Sequence, residues 1–215
     1  MPYLKALSFP LAVELAEATL LRQDMRASLS AMKLWCEKYS KLEKPTLEEM
    51  TIRQSLFRDA IVQFIGCFDK TAPFSLSKDE VYKGTDGGAE YFQWLKDIRD
   101  AYAAHKFGPL RQCAVGVFVD LPESGQITIG DLISIYAGPT EERNNLDLIS
   151  FMGVAANYLD SAVTALQEKL LTAAKATPIV ELRALPNARA HGVNPEDIRL
   201  SREKFRNKVL KGDQK

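Results

Sequence analysis

Between Pro10 and Pro45 the chain has neither glycine nor proline. Within that stretch Leu15, Ala18, Leu21, Met25, Leu29, Met32, Cys36 and Tyr39 recur at steps of three and four. That spacing puts the apolar residues on one face of a long amphipathic helix and leaves that face in need of a partner. Lys41-Leu42-Glu43-Lys44-Pro45 ends the helix. Thr46 and Glu49 then have the spacing of a capping box, in which hydroxyl and carboxylate satisfy free amides of the next helix. The second helix is expected through Met50, Phe57, Ile61, Phe64 and Phe68 to about Lys70. Two long helices with a short polar connection predict an antiparallel αα-hairpin.

The rest of the chain adds three textures. Residues 71–88 read as a loop with one helical turn after Ser77, punctuated by Asp86-Gly87-Gly88. A helix is expected from Ala89 to about Phe107, stopped by Gly108-Pro109. Two β-branched runs flank Leu121-Pro122-Glu123-Ser124-Gly125 and predict a β-hairpin at about 112–137. In its second run Ile127, Ile129, Ile133 and Ile135 share a face, with Asp131 at a bend. Thr140 caps a further helix to about Ala176, with a stripe of Leu146, Ile149, Gly153, Ala156, Val163, Leu166 and Leu170. The fold class expected is mainly α, an antiparallel helical bundle with a small antiparallel β-hairpin insertion. Residues 1–177 form the bundle domain. Residues 178–215 form a basic extension with nine Lys/Arg against five acids, a loop at His191-Gly192 and a short terminal helix begun by Asn194-Pro195.

Composition excludes several classes. The chain has 215 residues, enough for a core that needs no staples. With 28 basic and 28 acidic side chains there is no global pull toward a polyanion, so any such site must be local. Cys36, Cys67 and Cys113 form no CxxC pair, which argues against a disulfide framework or a thiolate zinc site. Two histidines cannot build a three-histidine metal centre. Gly84, Gly87 and Gly88 make neither a P-loop nor a dinucleotide fingerprint, and no cofactor is expected. Lys5 and Glu14 interrupt the N-terminal apolar stretch, so no secretory signal is read there. No run is apolar enough to span a bilayer, and the expected compartment is a reducing cytoplasm.

The segment that carries chemistry is Phe92 to Gly108. On a helical wheel Tyr91, Leu95, Ile98 and Tyr102 define its apolar stripe. Arg99 falls about 60° to one side of Tyr102 and His105 about 60° to the other, so both flank the buried face. Their Cα atoms would be about 9 Å apart along the axis, a span that two long side chains bridge with a phosphate between them. A half-buried guanidinium needs an anion; a carboxylate such as Asp59 or Asp69, or a bound phosphodiester, would serve. An imidazole with a pKa near neutrality can exchange a proton with a ribose hydroxyl or a leaving oxygen, and an Arg fork neutralises charge on phosphorus. The bland alternative is a structural ion pair at Arg99 and a capping role for His105. Asp97 and Asp100, three residues apart, would also suit a divalent ion.

Arg99-Asp100 through His105 resembles the R-x(4-6)-H motif of the HEPN superfamily, in which a polar residue commonly follows the Arg. Leu56 to Tyr82 resembles the second helix and following loop of its abortive-infection AbiU-like branch, and the resemblance extends over about Thr46 to Gln112. It implies an all-α core with a long helical hairpin, a homodimer, and a metal-free endoribonuclease used as a toxin or phage-defence effector, with an antitoxin protein as a partner. Carried over by position, Arg99 and His105 are its catalytic pair and Asp100 the polar helper. The chain departs from the nucleotidyltransferase-paired branch at Phe107, where that branch has a modifiable Tyr two residues after the His. The alternative function is a noncatalytic interaction or nucleotide-binding module of the same fold. Lys106, Arg111, Lys204, Arg206 and Lys208 are candidate RNA contacts, and His191 is a loop residue within reach of the same role.

Overall fold

A computed structural model describes residues 5–7, 9–69, 74–104, 111–118, 128–135, 144–187 and 204, with 102–104, 111–118, 128–135 and 144–147 described in the backbone alone. The chain is mainly helical, a helical bundle. In chain order it comprises α1 (Pro10–Leu34), a π-helical turn (Trp35–Tyr39), α2 (Leu47–Gly66), α3 (Lys78–Val81), α4 (Gly88–Ala104), β1 (Arg111–Phe118), β2 (Thr128–Ile135), α5 (Asn144–Ala176) and α6 (Ile179–Ala184). It divides into two compact units, Glu14–Ala165 and Met1–Val13 with Leu166–Lys215.

In the larger unit α1 and α2 run antiparallel. Ser28 Oγ donates to the Ala60 carbonyl at 2.7 Å, and Cys67 Sγ contacts the Leu21 carbonyl at 3.8 Å, so α1 descends as α2 ascends. Ala18, Leu21, Met25 and Met32 are buried at the expected spacing. Next on the inward face, Trp35 is buried against Phe57, with ring centroids 5.0 Å apart, whereas Cys36 is only half-buried. Trp35 lies three residues after Met32, an ordinary i,i+3 step on the same face, and its larger ring takes the inward position at the start of the π-helical turn. Thr46 and Glu49 form the capping box: Glu49 N donates to Thr46 Oγ1 at 3.2 Å, and Thr46 N donates to Glu49 Oε2 at 2.8 Å. The hydrogen bonds that the Glu49 carboxylate accepts from the Thr46 backbone and side chain hold its carboxyl below the ordinary glutamate range. Met50, expected in the stripe, is exposed instead, because the buried face of α2 opens at Phe57 and continues through Ala60, Ile61, Phe64 and Ile65.

A cluster of aromatic rings joins the end of α2 to α3, α4 and α5. Tyr82 stacks on Phe151 at 4.0 Å and donates its hydroxyl to the Phe151 carbonyl at 3.3 Å. Burial pushes the Tyr82 hydroxyl's pKa up, so it stays protonated and a donor. Phe92 meets Phe68 edge-on at 4.7 Å, and Tyr91 meets Phe151 at 4.6 Å. Burial also pushes the Cys67 thiol up to about 12, with Asp24 adding to the shift. On α5 the buried residues are Leu148, Phe151, Met152, Ala155, Leu159 and Val163. The expected stripe of Ile149, Gly153 and Ala156 is therefore one residue out of phase until Val163, because the larger side chains Phe151, Met152 and Leu159 set the inward face. Arg26 reaches Asp160 at 2.9 Å and Arg22 reaches it at 3.9 Å, tying α1 to α5.

β1 and β2 pair antiparallel, with Arg111 opposite Ile135 and Phe118 opposite Thr128. The register runs without a break through Val115 opposite Asp131, so no bulge interrupts the ladder at Asp131. The connecting turn, the Thr140 cap, and the loop and helix around His191 and Asn194 lie outside the described residues. In the smaller unit Lys5 pairs with Asn187 as an isolated bridge, Ala6 N donates to the Pro186 carbonyl at 2.8 Å, and Lys5 Nζ donates to the Leu185 carbonyl at 2.8 Å. Helix α6 has no counterpart in the sequence expectations. Among the described residues no helix is long and apolar enough to cross a membrane.

This packing sets measurable differences in stability. Phe64→Ala is expected to lower stability by about 3–5 kcal/mol and Met50→Ala by less than about 0.5 kcal/mol, read from urea unfolding with the slope held constant. Thr46→Ala is expected to cost about 1 kcal/mol near neutral pH. Because the folded pKa of Glu49 is depressed, its contribution is complete above the unfolded value of about 4.3 and disappears as pH falls through the lower folded value. The difference between wild type and Thr46→Ala should therefore shrink on acidification below about pH 4; a difference independent of pH would contradict the capping box as its source.

Candidate functional site

The site is built on α4. Its N-terminal turn follows Gly84 and Gly87, whose φ angles of 82° and 66° let the chain reverse where a side chain would be strained. Phe92 and Leu95 are the buried centre of α4, while Tyr91, Trp94 and Ile98 are half-buried beside them and Gln93, Lys96 and Asp97 are exposed. Arg99 lies on the flank of this face, with 23% of its side chain exposed.

The guanidinium has a partner. Arg99 Nε donates to Asp100 Oδ1 at 2.8 Å, and Nη2 lies 2.7 Å from the same oxygen. Adjacent helical residues project about 100° apart, so this contact requires Arg99 to curl around the helix. Neither of the two carboxylates suggested by the sequence is the partner. Asp59 accepts from Gln63 Nε2 at 2.8 Å, and Asp69 shares a cleft with Arg99 without an ion pair among the described residues. Among the described residues Asp100 is the partner of the guanidinium, on a side chain that is neither fully solvated nor sealed. Asp97, the other acid suited by spacing to a divalent ion, accepts from Gln93 Nε2 at 2.8 Å.

Arg99 lines a cleft of ≈ 380 Å³ between the end of α2, the segment leading into α3, and α4. Ile65, Phe68, Leu76 and Phe92 are its apolar lining, and Lys78, Lys96 and Arg99 are its cations. Asp69 and Asp79 are its acids. Lys78 and Lys96 make no ion pair among the described residues; Lys78 Nζ sits 5.9 Å from the centroid of the Phe92 ring. This is a volume suited to a small ligand, with an apolar floor and a charged rim of both signs.

Sequence reasoning singles out Arg99 and Asp100 but not Lys78 or Lys96. The signal for Lys96 is present, since Phe92, Lys96 and Arg99 follow the i, i+4, i+7 spacing of one helix face. No local pattern ties Lys78 to them. His105, Lys106, Phe107, His191, Arg206 and Lys208 lie outside the described residues. Arg111 opens β1, and Lys204 is exposed. Compared with family models, curated proteins and solved structures, the chain matches none.

Because the Arg99–Asp100 pair is partly exposed and joins neighbours in one helix, its contribution to folding is small. Arg99→Ala and Asp100→Ala should each change unfolding free energy by less than about 1 kcal/mol in chemical denaturation. A loss of several kcal/mol would instead make the pair a structural element of α4.

Proposed function

We propose that the chain is a HEPN-like, metal-independent endoribonuclease that acts on RNA as a homodimer. The observation that carries this reading is Arg99: a partly exposed guanidinium beside the buried face of α4, oriented by Asp100 and set in a cleft with two further cations. The pattern of Arg99, Asp100 and His105 along one chain segment supports the same reading.

In this mechanism Arg99 holds the scissile phosphate and neutralises charge that develops on its oxygens. The 2′-oxygen attacks phosphorus, the bond to the 5′-oxygen breaks, and a 2′,3′-cyclic phosphate and a 5′-hydroxyl result. His105 takes the proton from the 2′-hydroxyl or delivers one to the departing 5′-oxygen. One chain supplies one such histidine, whereas the reaction uses both a base and an acid. A second copy facing the first across a two-fold axis supplies the other. A toxin or phage-defence role, and an antitoxin that silences it, come from the family resemblance. Phe107 has no hydroxyl, so silencing by nucleotide transfer at that position is not part of the proposal.

The occupation of Arg99 Nε and Nη2 by Asp100 favours a second reading, a noncatalytic nucleotide-binding module that uses the remaining guanidinium donors. The two readings separate in one experiment. Purified protein is incubated with labelled total RNA and tRNA in EDTA, beside Arg99→Ala and His105→Ala, with circular dichroism and sedimentation equilibrium on each. The nuclease reading expects a dimer whose cleavage leaves 2′,3′-cyclic phosphate ends and falls at least about 100-fold in either variant. Folded variants that cleave as well as wild type would remove these residues from the chemistry.

A further inference from the structure

We infer that the cleft beside Arg99 is a binding subsite for one nucleotide unit, with its phosphate on Lys96 and Arg99 and its base against the apolar floor under Lys78. The inference rests on the reading of Arg99 as a phosphate-binding residue and adds what lies next to that phosphate.

Three observations converge on this assignment. First, Phe92, Lys96 and Arg99 form one stripe of α4 whose backbone rises about 10 Å from Phe92 to Arg99. An apolar end and a cationic end are thus fixed on one rigid helix at about the length of a nucleotide. Second, Lys78 and Lys96 face the cleft without an ion-pair partner among the described residues. Lys96 is exposed and Lys78 half-buried, so both are open to an incoming anion and neither is held by a carboxylate among the described residues. Third, the two ends differ in chemistry. At the ring end Lys78 Nζ lies 5.9 Å from the Phe92 centroid, so a donor stands over an aromatic surface. Asp69 and Asp79 add acceptors to the same cleft.

A free inorganic anion would use the cations and leave the floor wet. An apolar ligand would fill the floor and make no use of the cations at the rim. A nucleotide satisfies both halves. The mixed polar groups also select among bases: a lysine donates to a ring nitrogen or carbonyl oxygen, and a carboxylate accepts from an exocyclic amino group. Adenine, guanine and cytosine offer that pairing, while uracil has no amino group to donate. The unit is therefore a nucleoside monophosphate whose base carries an amino group.

The test uses full-length protein with AMP, UMP, adenosine and inorganic phosphate as probes, followed by calorimetry and by methyl NMR signals of Ile65 and Leu76. AMP is expected to bind at least about tenfold more tightly than adenosine or phosphate alone and to shift both methyl signals. UMP is expected to bind at least about threefold more weakly than AMP. Lys96→Ala should weaken AMP about five- to tenfold and leave adenosine unchanged. Lys78→Ala should reduce the preference for AMP over UMP. AMP binding no tighter than phosphate, unmoved methyl signals, or unchanged affinity in Lys96→Ala would each overturn the subsite. Failure here is distinct from failure of the nuclease reading. RNA cleavage without AMP binding leaves the nuclease and removes the subsite, whereas AMP binding in this cleft without RNA cleavage supports the subsite and removes the nuclease.

Discussion

The stack of Tyr82 on Phe151 is the contact on which the candidate site depends. It joins the end of α3 to α5 through two rings 4.0 Å apart, and the tyrosine hydroxyl closes onto the Phe151 backbone. Buried aromatic pairs of this kind contribute both area and geometry, because their quadrupoles restrict how the rings meet. Phe68, Phe92 and Tyr91 pack around the pair, so the same cluster fixes the end of α2 and the rotation of α4. With Phe92 and Leu95 turned inward, Arg99 and Lys96 are carried to the rim of the cleft. The charged groups have little choice of position once the rings are in place.

Much of the helical framework was legible because it is encoded locally. The spacing of Ala18, Leu21, Met25 and Met32, and of Phe57, Ile61 and Phe64, needs no tertiary information. The Thr46–Glu49 capping box is likewise a four-residue pattern with a single geometric outcome. The misses occur where several faces compete. On α5 the small and β-branched residues Ile149, Gly153 and Ala156 gave a plausible stripe, but the bulk of Phe151, Met152 and Leu159 decided the phase. Trp35 took the place expected for Cys36 because i,i+3 and i,i+4 steps from Met32 are both compatible with one face, and the larger ring decided between them.

The site was legible to a different extent. A wheel puts Arg99 beside the apolar stripe, and its half-buried state agrees with that placement. Its carboxylate partner was not legible, because the rule that neighbours on a helix diverge hides a contact made by a long, curling side chain. Lys78 was hidden for another reason. It comes from a four-residue helix in a segment otherwise read as loop, and only the aromatic cluster brings that segment over Phe92. Spacing within one element can nominate a residue; the cleft around it is a tertiary property.

The central claim is that Arg99 engages an RNA phosphate through the donors Asp100 leaves available. The most direct measurement is of the Arg99 guanidinium N–H resonances, Nη–H as well as Nε–H, during titration with a short oligonucleotide that carries 2′-deoxyribose at the cleavage position and so cannot react. The account predicts that the Nη–H signals shift and saturate with the binding curve, that Asp100→Asn moves the starting position of Nε–H, and that added salt reverses the shift. Nη–H resonances that stay fixed while the oligonucleotide binds elsewhere on the chain would contradict it.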